Sequence, residues 1–151
     1  FLTFFIMSPT LTVVYETAAE PYLNGKITAE SALNSATDDM KKFMVKNTRK
    51  HDLNMFLDLA NEGAVEKPED VPLTALLPAF ITSELKTAFQ IGFLLFLPFL
   101  VIDMVVASVL MSLGMMMLSP MLVAMPFKLL LFVLVDGWSM TVGSLVATYV
   151  V

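Results

Sequence analysis

The sequence predicts an all-α membrane protein in which a long hydrophobic helical hairpin follows a small helical region. Hydrophobic residues make up 57% of the 151 residues, above the roughly 45–50% of soluble domains, and charged residues only 15%. Residues 1–70 carry 11 acidic and 7 basic side chains, whereas residues 71–151 carry three acidic and two basic ones. A globule of this size cannot bury so much apolar surface in its own core. We therefore expect lipid or neighbouring subunits to cover the rest.

The first nine residues are typical of the end of a longer hydrophobic helix. The run over residues 1–7 is apolar but too short to cross a bilayer, which takes about 20 residues. We expect this helix to be truncated before Phe1 and to close at Ser8 and Pro9, since proline removes a backbone donor. Residues 10–24 can continue as helix up to the turn that follows.

The polar region at residues 10–72 is predicted to be helical. An amphipathic helix is expected over 28–47, because apolar residues recur there at intervals of three or four and Thr28 is a suitable N-cap. A second short helix is expected at about 49–61, with Gly63 as the glycine that ends it. The apolar positions of the two helices are Leu33, Ala36, Met40, Phe43, Met44, Leu53, Phe56, Leu57 and Ala60.

Residues 73–151 are predicted to form the hydrophobic hairpin. The apolar run over 88–118 would be roughly 46 Å long as a helix, against roughly 30 Å for a bilayer core. Pro98 should kink it. The Ser-Pro pair at 119–120 suits a helix start, with serine at the N-cap and proline at the first helical position. The tip of the hairpin is therefore expected near 114–120.

The second helix of the hairpin, at about 120–149, contains two positions that favour a bend. Pro126 removes a backbone donor, and Gly137 has no side chain to stiffen the helix. We expect the helix to bend at both residues.

Charged residues inside the apolar half are the candidate assembly or lumen residues: Glu84, Lys86, Asp103, Lys128 and Asp136. A charge at the middle of a lipid-facing helix costs on the order of 3 kcal/mol. These side chains should therefore face a bundle interior, a polar lumen or a partner chain. Two roles stay open: the charges pair only to hold an assembly together, or they line a channel.

The heights of these charges follow from counting outward from a tip at residue 119. Asp103 lies 16 residues before the tip and Asp136 lies 17 after it, so a straight hairpin would put the two carboxylates at a similar height. Lys128 lies 9 residues after the tip, about 10 Å from that level. Glu84 is farther still, so an ion pair between Glu84 and Lys128 is expected only between subunits or across a broken helix.

Methionines concentrate around the predicted tip. Seven of the 12 fall between residues 104 and 125, and Met115, Met116 and Met117 are consecutive. Three successive residues cannot share one helix face, where each step turns by about 100°, but in a loop they can project to the same side. Methionine is flexible and fills irregular gaps. A ring of such loops would form a compliant apolar seal; core filling or lipid contact at the tip is the plainer alternative.

Other classes of function have little support in the sequence. There is no cysteine, a single histidine (His51), no glycine-rich phosphate loop and no basic patch, so no metal, cofactor, nucleic-acid partner or enzymatic activity is predicted. An intramembrane aspartyl protease, with Asp103 and Asp136 sharing a proton, is the enzymatic alternative. An ion channel or proton relay built on Glu84, Asp103 and Lys128 is another.

Three apolar stretches resemble the FliP family, the core subunits of the flagellar type III export gate. They read LPAFITSELKTAFQIGF at 77–93, LPFLVIDMVVASVLMSLGMMM at 97–117 and PFKLLLFVLVDGW at 126–138. The opening segment at 1–9 and parts of the polar region also fit, so the resemblance covers nearly the whole chain. The homologous subunit of virulence injectisomes is the nearest alternative. The sequence SELKTAFQ at 83–90 and the sizeable polar region favour the flagellar branch.

The resemblance implies a subunit of a helical export-gate assembly in the bacterial inner membrane, at the flagellar basal body. Such subunits form a homo-oligomer, expected here to be a pentamer, with FliQ and FliR. They work with FlhA and FlhB, contact membrane lipid, and pass unfolded flagellar export substrates. The polar region at 10–72 would face the periplasm. The family's methionine loop corresponds to Met115, Met116 and Met117, and its in-membrane charges correspond to Glu84, Asp103 and Lys128.

Overall fold

The computed structural model describes residues 1–61, 65 and 70–149. All the secondary structure assigned in these ranges is helical, which confirms the all-α prediction. The elements are α1 (Leu2–Val14), a π-helical turn (Tyr15–Ala19), α2 (Glu20–Leu23), α3 (Ala29–Lys46), α4 (Lys50–Leu59), α5 (Leu73–Ser112), α6 (Pro120–Leu134) and α7 (Gly137–Ala147).

Contacts divide the chain into two compact units. The first contains residues 1–86 and Tyr149, and the second contains Thr87–Thr148. The predicted segments 1–9, 10–72 and 73–151 follow hydropathy, whereas the units follow contacts. The boundary between the units therefore lies inside α5 and not between residues 72 and 73.

The N-terminal helix does not end at Ser8 and Pro9, so that predicted end is wrong. Pro9 lies inside α1, and the π-helical turn and α2 extend the helix to Leu23, 22 residues in all. Proline removes one backbone hydrogen bond, but the rest of the helix remains paired and α3 packs alongside α1. Apolar helices tolerate proline when neighbouring helices compensate in this way.

Polar side chains join the π-helical turn to α3. The Thr17 hydroxyl lies 2.6 Å from Asp39 Oδ2 and 2.9 Å from the Val13 carbonyl oxygen. Ser35 Oγ donates to the Thr17 carbonyl at 3.5 Å. These contacts satisfy polar groups at the point where the helical hydrogen-bond pattern shifts.

The predicted limits of α3 and α4 agree closely with the structure, with one difference. Thr28 caps α3 as predicted, since its hydroxyl accepts a hydrogen bond from the Ser31 N–H at 3.3 Å. Gly63, the predicted cap of α4, lies outside the described residues. Asn61 takes the left-handed conformation after α4, with φ of 55°, which asparagine adopts more readily than most residues.

The first unit has a small apolar core between α3, α4 and the start of α5. Its buried residues are Phe43, Met44, Leu57, Val71, Ala75 and Leu76. Five of the nine apolar positions predicted for α3 and α4 are in or against this core: Phe43, Met44, Leu53, Phe56 and Leu57. Leu33 is exposed, so the apolar face of α3 is covered only toward its C-terminal end.

In the second unit the second hairpin helix breaks at one place. Pro98 lies within α5 and Pro126 within α6, and neither interrupts its helix. The break falls just before Gly137, where α6 and α7 meet at 62°. The bend predicted at Gly137 is thus confirmed, and the helix is not broken at Pro126.

Two helices of the described chain are long and apolar enough to cross a membrane. They are Leu2–Leu23 and Leu73–Ser112, and α6 with α7 would provide a third if the bent pair is one span. At about 1.5 Å per residue, the 40 residues of α5 extend roughly 60 Å. This length is about twice a bilayer core, and residues 73–86 of α5 belong to the first unit.

Candidate functional site

Asp103 and Lys128 form an ion pair across the hairpin. Lys128 Nζ lies 2.7 Å from Asp103 Oδ1, so the two residues are level, and the separation of about 10 Å expected from a tip at residue 119 is wrong. The error arises because the connection is not a point. α5 ends at Ser112 and α6 begins at Pro120, and Asp103 and Lys128 lie nine and eight residues from these ends.

The hairpin partly encloses this ion pair. About a quarter of the Lys128 side chain and 31% of the Asp103 side chain are exposed. The contact has the distance of an ion pair but not the angles of a hydrogen bond, and Asp103 Oδ1 accepts no hydrogen bond within the described residues. The distance decides here, because Coulomb attraction depends on separation and is strong in apolar surroundings. The pair therefore stabilises each charge within its own hairpin.

A second contact fixes the same register. The ring centroids of Phe99 and Phe132 lie 6.4 Å apart. Phe99 is 13 residues before Ser112, and Phe132 is 12 residues after Pro120. Two level contacts along α5 and α6 define an antiparallel hairpin.

Asp136 is not level with Asp103. It lies eight residues beyond Lys128, about 12 Å along a helix, so the similar height predicted for the two carboxylates is wrong. Asp136 takes the left-handed conformation, with φ and ψ of 51°, at the N-terminus of α7. Its side chain is exposed. A shared proton between Asp103 and Asp136 has no support in this register.

An aromatic cluster covers the break between α6 and α7. The Phe132 ring packs edge-on against Trp138, with centroids 5.3 Å apart. Gly137 is buried, and a Cβ atom at this position would overlap the Phe132 ring. Gly137 is thus required for close approach of the ring to the backbone.

The turn between α5 and α6, residues 113–119, contains the three consecutive methionines and is called the methionine turn here. It begins with a Schellman cap: the Gly114 N–H donates to the Met111 carbonyl and the Met115 N–H donates to the Leu110 carbonyl, at 3.1 and 3.0 Å. Gly114 has φ of 72°, which a glycine adopts without strain. Ser119 is the N-cap and Pro120 the first residue of α6, as predicted.

The three methionines differ in exposure. Met115, whose backbone the cap holds, is 46% exposed, whereas Met116 is 84% and Met117 fully exposed. Leu110, the residue whose carbonyl the Met115 N–H contacts, is buried. Met116 and Met117 are therefore the most exposed large side chains of the turn.

Lys86 lies in a polar contact between α4 and α5. Its ammonium pairs with Oδ1 of Asp52, a residue with no exposed surface. One turn away, the Arg49 N–H and Nη1 donate to Ser83 Oγ and the Ser83 carbonyl, at 3.0 and 2.6 Å. Each helix contributes two residues three apart, so the two contacts join the start of α4 to one face of α5. Lys86 thus has a structural role inside the first unit.

Glu84 accepts a hydrogen bond from Tyr149, which follows α7. Tyr149 Oη lies 2.6 Å from Glu84 Oε2, and its ring stacks on Phe43 with centroids 6.5 Å apart. The hydrogen bond to Glu84, with burial and the negative charge of Glu84, raises the pKa of Tyr149 to about 12. A phenol is already protonated at physiological pH, and the raised pKa keeps Tyr149 a hydrogen-bond donor into more alkaline solution. Phe43 and Tyr149 also line an apolar groove of about 350 Å³ in the first unit.

Sequence reasoning missed Asp52, Ser83 and Tyr149 as partners of the predicted charges. One signal was available for Asp52, because it lies four residues before Phe56 and so shares the apolar face of α4. A carboxylate on such a face needs a cation, and Lys86 is one of two cations in the apolar half. No local signal pointed to Tyr149. Within the described residues, no group of three or more acidic or histidine side chains could hold a metal ion.

Comparisons with known proteins agree on one family. The FliP family model matches residues 1–145. The flagellar biosynthetic protein FliP of Cereibacter sphaeroides is 66% identical over 149 residues, which are 99% of this chain and 50% of that relative. Those of Bacillus subtilis (strain 168) and Pectobacterium carotovorum subsp. carotovorum are each 54% identical over 149 residues, covering 67% and 58% of the relatives. The chain thus spans about half to two thirds of the length of these proteins. This chain belongs to the FliP family.

Proposed function

We propose that this chain is part of a subunit of the flagellar protein-export gate, in which it lines the channel for unfolded flagellar proteins. The relatives are named flagellar biosynthetic proteins, and the described chain has two helices that could cross a membrane. The subunit has no chemistry of its own in this proposal. Its contribution is a shaped, deformable apolar passage.

The methionine turn is the observation that carries the proposal. A Schellman cap ends α5 and a proline starts α6, so the backbone on both sides of the turn is fixed. The fixed ends present Met116 and Met117 outward. Flexible thioether side chains on a fixed backbone can repack around a passing peptide without moving the helices. Met115, Met116 and Met117 are therefore the proposed seal.

One hairpin supplies one arc of such a seal, so the channel requires several copies. We propose a homo-oligomer, a pentamer by family resemblance, assembled with FliQ and FliR and working with FlhA and FlhB. Large exposed apolar side chains along α5, α6 and α7 give the second unit a surface for those neighbours and for lipid. The proposed location is the bacterial inner membrane at the basal body, with residues 10–72 on the periplasmic side.

The charged residues are proposed to hold this assembly in register. Lys128 is paired with Asp103, and Glu84 is hydrogen-bonded to Tyr149, within one chain. A Glu84–Lys128 pair between copies would therefore have to share or exchange these partners. Asp136 is exposed at the helix break, where it could face a lumen or a partner chain in the assembly.

Ion leak through bacterial membranes tests the seal. In full-length protein, replacing Met115, Met116 and Met117 by alanine should let small ions pass while the complex still assembles, because truncation opens the constriction but leaves the helices intact. The control removes three methionines of the hairpin outside the turn, Met104, Met111 and Met121, which are also exposed. Membranes that stay tight in the first variant would refute the seal; a leak equal in both would show that the turn has no special role.

A further inference from the structure

Met116 and Met117 are the most exposed methionines of the single chain. They are 84% and 101% exposed, against 46% for Met115 and 7% for Met44 in the core of the first unit. The difference has a structural cause, since the cap at Gly114 holds the Met115 backbone against the end of α5. The two residues beyond the cap project from the turn.

An accessible thioether reacts with peroxide in a defined two-electron step. The sulfur lone pair attacks one peroxide oxygen and the O–O bond breaks. The attacked oxygen becomes the sulfoxide oxygen. Its proton passes to the departing hydroxide, which leaves as water. The sulfur is oxidised and the peroxide is reduced, so no further reactant is needed. Susceptibility follows exposure, and the product is polar where the thioether was apolar.

We propose that Met116 and Met117 form a peroxide-sensitive modification site, at which sulfoxide formation opens the seal. A sulfoxide carries a strong dipole and accepts hydrogen bonds, so two of them on each turn would hydrate the constriction. The lesion is reversible, because methionine sulfoxide reductases restore the thioether. The leak rests on the proposed function. The selectivity of oxidation rests on the exposure of Met116 and Met117 in the single chain and on their facing the channel, where peroxide can reach them, in the proposed assembly.

Hydrogen peroxide applied to membrane vesicles that contain the full-length assembled complex tests both parts. Peptide mass spectrometry should find sulfoxide at Met116 and Met117 about tenfold sooner than at the buried Met44. Ion conductance should rise severalfold over the same interval. In a variant with M116L and M117L, peroxide should no longer change the conductance from that variant's own starting level. A variant with leucine at Met104, Met111 and Met121 should respond to peroxide as the natural protein does.

The outcomes separate this inference from the seal itself. Equal oxidation rates at Met117 and Met44 would overturn the site assignment. Selective sulfoxide formation without a rise in conductance, in membranes where the triple alanine variant leaks, would overturn the gating claim and leave the seal standing. A triple alanine variant that does not leak would instead refute the seal.

Discussion

Charged side chains in an apolar helix are stable only where a partner reaches them, and four of the five predicted charges have one within their own unit. Lys128 pairs with Asp103, Lys86 with Asp52, and Glu84 with Tyr149. Asp136 lies where the backbone leaves the helix, and it is exposed. The pairs join segments far apart in sequence, so a structural role is already fulfilled inside one chain.

The Asp103–Lys128 pair predicts a pattern of rescue. Lys128→Ala leaves the Asp103 carboxylate without a counter-charge in apolar surroundings, which should cost on the order of 3 kcal/mol. Exchanging the two residues, Asp103→Lys with Lys128→Asp, keeps the pair and should recover most of that loss. Thermal unfolding of the detergent-purified protein measures both.

Lys26→Ala, at an exposed position outside the hairpin, is the control and should change little. The single exchanges Asp103→Lys and Lys128→Asp should each destabilise the protein. If the double exchange lost as much free energy of unfolding as the two single exchanges added together, the pair would not form. Lys128→Ala should also harm assembly more than alanine at the three methionines does. Intact complexes of Lys128→Ala on native gels would contradict this expectation.

At the scale of elements, the sequence predicted what local signals determine. The cap at Thr28 and the Ser-Pro start of α6 are set by neighbouring residues, and both are confirmed. The height of Lys128 along the hairpin was predicted wrongly because residues were counted from a single tip residue, 119. The connection in fact takes seven residues, 113–119. The partners Asp52 and Tyr149 lie 34 and 65 residues from the charges they contact. Only the packed structure brings such residues together.

The break between α6 and α7 yields a prediction with a matched control. Gly137→Ala would push a methyl group into the Phe132 ring, so the ring must move and the hairpin should lose about 1–3 kcal/mol. Trp138, the single tryptophan of the chain, packs on that ring, so its fluorescence should change. Gly143→Ala, inside α7 with open space around it, should stabilise the helix by up to about 1 kcal/mol.

Equal effects of the two glycine substitutions would contradict the packing of Phe132 over Gly137. Unchanged tryptophan fluorescence in Gly137→Ala would do the same, because the ring could not have moved. Both readouts come from one purified protein, so loss of folding is distinguished from a local shift.

At the scale of the whole molecule, the second unit has little core of its own. Apart from Leu110, Ala124 and Gly137, the side chains described there are exposed or only half-buried. An apolar surface of this extent needs lipid or other chains to cover it. The proposed seal likewise requires several copies to bring their methionine turns together. The proposed function therefore depends on oligomerisation.

The mass and subunit composition of the detergent-purified complex show whether the subunit is oligomeric. The measurement uses full-length protein, produced with its cellular partners and analysed by native mass spectrometry. We expect a complex with several copies of this subunit together with other membrane subunits. A monomer that remains soluble and folded in mild detergent would contradict it.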